Sequence, residues 1–427
     1  MKKKVVLWLC FILLLVLLLC SCAGASYASS QESSVAPIQP SEDLLFPGGT
    51  ACSADAATLR LIALAHKDVD AVIPLLQQMP GLIYLDLGSD TLPPSGESET
   101  GALRDLSWDD IKAIQNACPQ AAVKYAFSFG GRSFTTLDTK WDLNHISMDD
   151  NGAAVREILP CMTRCTYLDM DFCDVDSEHM AEIRDAYPNM EVVWRVFFGR
   201  DCSVRTDVER ILASNLNHAL MDQNTRQLKY CTKVKLFDVG HNTYLRDFSF
   251  LSYMPDLEVV IVSMTGFSDL SVLSNAKNLE YLEFHSCKEG MDLSPLVNNP
   301  NLEHICCCFL GDVQGWEAIK TLKKLQRFHM GCYTRLPEGA VEELQEALPN
   351  CDINTTNSIG SLGDWRWDEQ NNREYPRYEK LCQQFEYADY QNVCSSWFND
   401  PKFFYPDGSS PYNEKYWYFP ALEEDAD

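Results

Sequence analysis

The sequence predicts an α/β solenoid, with a curved parallel β-sheet on its concave face and helices, 3-10 turns and loops on its convex face. Three observations support this fold class: a recurring apolar phrase of the form L-x-x-L-x-L, a nearly constant period in the second half of the chain, and a shorter second phrase between successive copies. One copy cannot bury its apolar face alone, so neighbouring copies must stack on each other.

The L-x-x-L-x-L phrase occurs five times with slight decay, and each copy predicts a short strand whose alternate side chains point inward. The copies are Leu82, Leu85, Leu87; Leu257, Val260, Val262; Leu279, Leu282, Phe284; Leu302, Ile305, Cys307; and Leu325, Phe328, Met330. The central residues of the last four copies are 22, 23 and 23 residues apart. Val234 lies 26 residues before the first of these, and we interpret it as the centre of one further strand.

Second phrases of the form D-x-S-x-L lie between the strands, at residues 247–251, 269–273 and 292–296. Each predicts a turn over the convex side. Together, the two phrases resemble the leucine-rich repeats of internalin-like bacterial surface proteins over residues 231–335. The resemblance implies a leucine-rich-repeat solenoid, and it supplies no catalytic residue.

The N-terminal half has longer repeats, in which residues 108–118 and 177–187 have helical apolar spacing and end at Pro119 and Pro188. Residues 338–348 follow the same pattern before Pro349. Val123, Phe129 and Gly130 match Val192, Phe198 and Gly199 at an offset of 69 residues. These repeats resemble the ribonuclease-inhibitor type. We expect strands near residues 58–61, 83–87, 123–127, 140–143, 166–170, 192–196 and 208–211, and about twelve turns of solenoid.

The N-terminus predicts export. Three lysines precede the apolar residues 5–19, as in a signal peptide. The segment Leu19-Cys20-Ser21-Cys22 resembles a bacterial lipobox, which implies lipidation of Cys22 and a membrane anchor. Simple cleavage near Ala23-Gly24-Ala25 and an uncleaved anchor helix are the alternatives. The whole chain resembles leucine-rich-repeat surface lipoproteins of Gram-positive anaerobes, which implies adhesion or ligand binding at the cell surface.

Five regions follow from these patterns. They are a lipoprotein signal peptide (1–21), a flexible tether (22–43), longer helix-containing repeats (44–230), regular repeats of 22–23 residues (231–359) and an aromatic-rich C-terminal cap or appended segment (360–427). Tyr378, Leu381, Cys382 and Phe385 have helical spacing behind Pro376, which predicts a helix that caps the open end of the solenoid. The later aromatics allow a sugar-binding module as the alternative.

Composition excludes some functions. The chain has 35 Lys and Arg residues against 61 Asp and Glu, a net charge of −26, which argues against nucleic acid as a partner. A hydrophobic content of 46% is typical of a packed protein. The sequence has no recognisable nucleophile motif, phosphate loop or metalloprotease motif, so we expect no enzymatic activity and no cofactor. We expect a monomer.

Residues beside the strand leucines should face outward on the concave sheet, where solenoids commonly bind their ligands. Aromatic, aliphatic and charged side chains together favour an extracellular protein or glycan as the partner. The predicted ligand-binding residues are Lys233, Lys235, Phe237, Val259, Ile261, Tyr281, Glu283, His285, His304, Arg327 and His329.

An alternative function is metal binding or thiol redox chemistry on the same sheet. Strand register places Glu283, Cys306 and His329 in line, with His285 beside Cys308, and zinc or copper accepts such mixed ligands. The spacing matches no zinc motif. A further hypothesis is that Cys308 acts as a nucleophile and His285 as its base.

Two other groups have a structural interpretation. Cys173 and Cys287 should close their turns inward. The acidic run Asp169, Asp171, Asp174 and Asp176 is interpreted as a solvated edge, with calcium binding as the alternative.

Overall fold

The computed structural model describes residues 43–90, 105–198, 202–214, 220, 222–355, 366–368 and 371–388. The predicted signal peptide, almost all of the tether and the aromatic run after residue 388 lie outside the described residues.

The strands are β1 (Asp43–Leu45), β2 (Ala51–Ser53), β3 (Thr58–Arg60), β4 (Tyr84–Ser89), β5 (Ala122–Phe129), β6 (Arg132–Thr135), β7 (Lys140–Asp142), β8 (Tyr167–Asp169), β9 (Glu191–Val193), β10 (Arg195–Phe198), β11 (Cys202–Arg205), β12 (Arg210–Leu212), β13 (Leu236–Asp238), β14 (Val259–Ile261), β15 (Tyr281–Glu283), β16 (His304–Cys306), β17 (Gly311–Asp312), β18 (Arg327–His329), β19 (Thr334–Arg335), β20 (Asp352–Asn354), β21 (Trp367–Asp368) and β22 (Arg373–Glu374). The α-helices are α1 (Val69–Leu76), α2 (Trp108–Ala117), α3 (Ala153–Ile158), α4 (Ser177–Ala186), α5 (Asp222–Thr225), α6 (Ala340–Ala347) and α7 (Pro376–Phe385).

Three parallel ladders form the concave side: β3-β4-β5, β7-β8-β9 and the seven-stranded sheet β12-β13-β14-β15-β16-β18-β20. The predicted second phrases coincide with 3-10 helices at Ser249–Tyr253, Leu270–Leu273 and Ser294–Asn298. A parallel sheet that is crossed back by short helices in each repeat is the predicted leucine-rich-repeat solenoid.

Capping side chains set the first residues of the helices in the longer repeats, and prolines follow their last residues. Ser107 caps α2 by accepting the backbone N–H of Asp110, whose carboxylate accepts the Ser107 N–H in return. Asp176 caps α4 through the N–H of His179. Both helices end shortly before a proline, which cannot donate the next backbone hydrogen bond.

The 69-residue internal repeat marks two antiparallel hairpins, β5-β6 and β10-β11, that separate the ladders. Gly130 and Gly131 form the first turn with φ of 53° and 77°, a conformation that most side chains resist. Gly199 lies outside the described residues. The repeated sequence therefore encodes a hairpin that interrupts the regular stacking.

The strand register corrects one prediction. The central core residues pair across the seven-stranded sheet as Ile211, Phe237, Val260, Leu282, Ile305, Phe328 and Ile353. Strand β13 is therefore centred on Phe237 and not on Val234, which fills the first apolar position of its phrase, three residues earlier. Both side chains are fully buried. Phe237 faces the core, and Lys233 and Lys235 precede the strand.

A turn with positive φ follows five neighbouring strands of the seven-stranded sheet, β13, β14, β15, β16 and β18. The residues are His241, Met264, Ser286, Phe309 and Cys332, with φ between 51° and 66°. None is glycine, so the left-handed conformation costs about 1–2 kcal/mol at each position. Hydrogen bonds to the next repeat offset this cost: the Met264 N–H donates to the His285 carbonyl at 2.8 Å, and the Phe309 N–H donates to the Cys332 carbonyl at 2.7 Å.

Two cysteines close turns inward, as predicted. The Cys173 thiol donates to the Leu143 carbonyl at 3.0 Å, and the Cys287 thiol donates to the Val262 carbonyl at 3.3 Å. Burial raises the pKa of Cys173 to about 12 and that of Cys287 to about 11, so both thiols stay protonated. These cysteines act as small structural side chains that link one repeat to the previous one.

Candidate functional site

The concave side of the seven-stranded sheet presents two rows of side chains, because alternate residues of each strand point away from the core. The first row is Arg210, Leu236, Val259, Tyr281, His304, Arg327 and Asp352. The second row is Leu212, Asp238, Ile261, Glu283, Cys306, His329 and Asn354. Apart from Arg210 and Asp238, both rows are apolar over the strands β12 to β14, and charged or polar side chains predominate over the later strands.

Residues 366–368 and 371–388, which we call the C-terminal strap, lie across these rows. The predicted helix is confirmed as α7, but it covers the concave sheet and not the end of the solenoid. Its buried stripe contains Tyr378, Leu381 and Phe385, and Tyr387 follows the helix. These four side chains pack on a patch of the sheet made of Leu212, Leu236, Val259, Ile261 and Tyr281.

Polar contacts fix the direction of the strap. The Arg366 guanidinium forms two hydrogen bonds of 2.8 Å with the Glu283 carboxylate on β15. The Tyr387 hydroxyl donates to Asp238 on β13 at 2.9 Å, and Arg210 on β12 donates to the Phe385 carbonyl. The helix therefore runs across the strands, with its C-terminal end over the first strands of the sheet.

The end of the strap near the last strands is held by Tyr375. Its hydroxyl donates to Asp352 on β20, and its ring lies 4.6 Å from the Arg327 guanidinium carbon. Arg327 donates to Asp352 at 2.5 Å. Where the strap crosses the polar rows, Asp352 therefore accepts hydrogen bonds from both Arg327 and Tyr375, and the Tyr375 ring packs on the Arg327 guanidinium.

Burial shifts the protonation of several concave side chains. Burial by itself would raise the pKa of Glu283, but the Arg366 charge and hydrogen bonds hold this pKa at about 2. Burial lowers the pKa of His304 to about 3 and that of His285 to about 4. Burial raises the pKa of Asp238 to about 6. At neutral pH both imidazoles are therefore uncharged beneath the strap.

The structure places seven of the predicted ligand-binding residues on the concave side of the sheet, but all of them are buried. They are Val259, Ile261, Tyr281, Glu283, His304, Arg327 and His329. His285 is buried two residues beyond β15. A ligand in solution does not reach these side chains while the strap is in place.

The other three predicted ligand-binding residues lie elsewhere. Phe237 is in the core. Lys235 forms an ion pair of 2.7 Å with Glu209. Lys233 is exposed and lines a cleft of about 340 Å³ that also contains Arg184, Asp207 and Tyr230. Cys22 lies outside the described residues.

The predicted metal site is not assembled. Among the residues that the structure describes, no group of three or more histidine, cysteine or acidic side chains is arranged to hold an ion. Glu283 is engaged by Arg366 and Tyr281, and the Nδ1 atom of His329 lies 3.1 Å from Arg327 Nη2. This corrects the prediction of Glu283, His285, Cys306, Cys308 and His329 as metal ligands. Two of the five are engaged elsewhere, Glu283 by Arg366 of the strap and His329 by Arg327.

The acidic run is only in part a solvated edge: Asp176 is exposed and Asp174 is half-buried, but Asp169 and Asp171 are not solvated. Asp171 accepts two hydrogen bonds of 2.8 Å from Arg195, and Asp169 accepts one of 2.9 Å from Arg205. Both carboxylates are buried. The sequence did not signal this network, because both arginines come from the β10-β11 hairpin, more than twenty residues later.

The residues that cover the sheet, above all Arg366, Tyr375 and Tyr387, were not predicted from the sequence to contact it. A signal for contact was present: an amphipathic stripe in α7 and two adjacent aliphatic residues on the concave side, Val259 and Ile261, each need an apolar partner.

No family model and no curated protein matches the sequence. Solved structures that resemble the chain include an internalin from Listeria monocytogenes, with 13% identity, coverage of 68% of this chain and 61% of that one, and a TM-score of 0.27. Internalin C2 from the same organism matches with 12% identity over 62% of this chain and 82% of that one, at a TM-score of 0.27. A leucine-rich-repeat protein of Leptospira interrogans matches with 15% identity over 66% of this chain and 74% of that one, at a TM-score of 0.26. The match thus spans less than two thirds of the length of the first internalin.

Proposed function

We propose that this chain is a non-catalytic recognition protein that binds another protein through the concave face of its seven-stranded sheet, and that the C-terminal strap occupies this face in the absence of the partner. One observation carries the proposal: the concave sheet already binds an amphipathic helix, α7, through an apolar patch bordered by charged residues.

The chemistry of the strap indicates the chemistry of the partner. The sheet receives three apolar side chains spaced three and four residues apart, and it pairs Glu283 with Arg366 and Glu280 with Lys380 at 2.7 Å. A helix in a groove is recognised by such anchors. Because a glycan brings hydroxyl groups and no cations to such a surface, these contacts favour a protein helix with an apolar stripe and flanking basic residues.

The location that we propose is the outer face of the cytoplasmic membrane or the cell surface. Support comes from the signal-peptide pattern of residues 1–21, the lipobox cysteine Cys22 and the polar tether that follows it. Among the described residues, no helix has the length and apolarity needed to cross a bilayer. The acidic net charge of −26 disfavours nucleic acid.

The test uses the full chain and a synthetic peptide that spans residues 366–388. Leu381→Asp places a charge against the apolar patch, and Arg366→Gln breaks the buried ion pair, so each change should release the strap. We expect each variant to bind the labelled peptide at least about tenfold more tightly than the wild type, because an occupied face lowers the apparent affinity. Fluorescence anisotropy measures the binding.

The matched control is Gln383→Asp, on the exposed side of the same helix. Among the described residues, the Gln383 side chain forms one hydrogen bond, which it donates to Glu379 at 3.0 Å. It should behave as the wild type does. Folding is checked by circular dichroism. If both releasing variants remain folded and neither binds the peptide, or if both lose the solenoid fold, the strap is part of the core and the concave face is not a binding surface.

A further inference from the structure

A cluster of thiols lies beside the strap and takes no part in its apolar contacts. Cys306, Cys308 and Cys332 pack together with Phe309 where β16 and β18 end. The Cys306 and Cys308 sulfur atoms are 4.0 Å apart. Cys306 is fully buried, whereas Cys308 keeps 5% of its surface exposed, and Cys307 between them points into the core. Cys308 is therefore the less deeply buried thiol of this pair.

The imidazole next to Cys308 has a defined proton position. An arginine can only donate hydrogen bonds, so the Nδ1 atom of His329, 3.1 Å from Arg327 Nη2, accepts. The ring proton is then on Nε2, and the His329 side chain forms a hydrogen bond with the Cys308 sulfur. Arg327 is itself held by Asp352 and by the ring of Tyr375. The chain of contacts Asp352–Arg327–His329 thus orients one donor toward one sulfur.

Three groups stabilise negative charge on the Cys308 sulfur. The Cys306 thiol, the His329 side chain and the backbone N–H of Gly331 all lower the pKa of Cys308, with Cys306 the largest influence. Burial and the neighbouring sulfur raise the pKa of Cys306. Of the two sulfurs, Cys308 therefore loses its proton more readily.

We propose that Cys308 and Cys306 form a thiol–disulfide exchange site whose substrate is a disulfide, with Cys308 as the attacking sulfur and Cys306 as the resolving one. Cys308 attacks a substrate R–S–S–R, forms the mixed disulfide Cys308–S–S–R and expels one thiolate, which takes a proton from solvent. Cys306 then loses its proton to solvent and attacks the Cys308 sulfur, which forms the Cys306–Cys308 disulfide and expels the second thiolate. Two protein thiols are oxidised and the substrate is reduced to two R–SH.

The first experiment treats the reduced full chain with oxidised glutathione, then blocks free thiols and maps peptides by mass spectrometry. The wild type should give a disulfide between Cys306 and Cys308. Cys306→Ser should stop at a glutathione adduct on Cys308, and Cys308→Ser should give neither product. Cys332→Ser, in the same cluster but with no assigned role, is the matched control and should react as the wild type does.

The second experiment measures the rate at which iodoacetamide alkylates each cysteine between pH 5 and 9. Cys308 should react at lower pH than Cys118 and Cys173, whose pKa values burial raises to about 11 and about 12. His329→Phe should slow alkylation of Cys308 at pH 5 by roughly tenfold for each unit by which its pKa rises, because at that pH the thiolate is the minor form. Alkylation of Cys308 that is as slow as that of Cys118, or a Cys306→Ser variant without a Cys308 adduct, would overturn the proposal. The peptide-binding assay of the proposed function does not involve thiol chemistry, so the two proposals can fail separately.

Discussion

Ionisable side chains beneath the strap are the residue-scale feature with the clearest consequence for stability. His304 is fully buried, and its ring stacks on Tyr281 at 4.6 Å between ring centroids. Its imidazole is close enough to the charges of Glu283, Arg327, Arg366 and His329 to be influenced by them. Burial is nevertheless the largest influence, and it keeps the ring neutral in the folded state.

This burial predicts a pH-dependent loss of stability. The unfolded chain binds a proton on His304 below its ordinary pKa of about 6.5, whereas the folded chain does so only near pH 3. The unfolded state therefore holds more protons between these limits, and the free energy of unfolding should fall as pH drops from about 6.5 toward 3, by up to about 1.4 kcal/mol per pH unit from this group.

His304→Phe tests this prediction because it keeps the aromatic stack and removes the titration. Urea unfolding of both proteins should show the wild type losing stability relative to the variant as pH falls. Asp238 has the opposite influence between about 3.8 and 6, because its raised pKa favours the folded state at lower pH. Asp238 is present in both proteins, so its contribution cancels in the difference. Parallel pH curves would contradict a neutral buried His304.

At the scale of elements, the β5-β6 hairpin depends on two neighbouring glycines with different surroundings. Both have positive φ, but a Cβ atom added at Gly130 would lie 2.4 Å from Ile146 Cγ2, whereas one at Gly131 meets nothing within 4 Å. Backbone strain is therefore shared by both positions, and steric overlap occurs at one only.

We expect Gly131→Ala to lower the free energy of unfolding by about 1–2 kcal/mol through backbone strain. Gly130→Ala should cost about 1–3 kcal/mol more, because overlap with Ile146 adds to the same strain. Thermal and urea unfolding measure both variants. Equal losses would show that Ile146 moves away without cost. Each glycine change serves as the control for the other.

Elements of this chain differ in how far the sequence predicts them. Strands and helices of the repeats follow from local apolar spacing and from caps such as Ser107 and Asp176, so their predicted positions agree with the structure within a few residues. Strand β13 was misplaced because V-x-x-F-x-V offers two apolar residues as its centre. The turn residues with positive φ carry no glycine signal, because contacts with the next repeat hold them.

At the scale of the whole molecule, the strap covers the concave face of the seven-stranded sheet with a segment of the same chain. Its contacts join residues 83, 149 and 175 positions apart in the chain. A partner has to compete with a segment that is always present at high effective concentration. Opening of the strap therefore controls access to the binding face that we propose.

The proposed lipid anchor predicts a change in the distribution of the whole protein. Cys22→Ala removes the thiol that receives the lipid, so the processed chain should move from the detergent phase to the aqueous phase in a Triton X-114 partition. Ser21→Ala keeps a small residue before the cysteine and should leave the protein with the membrane fraction. A Cys22→Ala chain that still partitions with detergent would indicate an uncleaved apolar segment as the anchor.

The sequence predicted the solenoid, its repeat period and the concave residues of strands β14, β15, β16 and β18, because each repeat buries leucines at fixed spacing and that pattern is local. It also predicted α7 from its apolar stripe. The surface that this helix covers was decided by long-range contacts, such as Arg366 with Glu283 and Tyr387 with Asp238, which follow no periodic spacing. Amphipathicity indicates that a helix requires an apolar partner, but the identity of that partner depends on shape and charge complementarity between segments that only folding brings together.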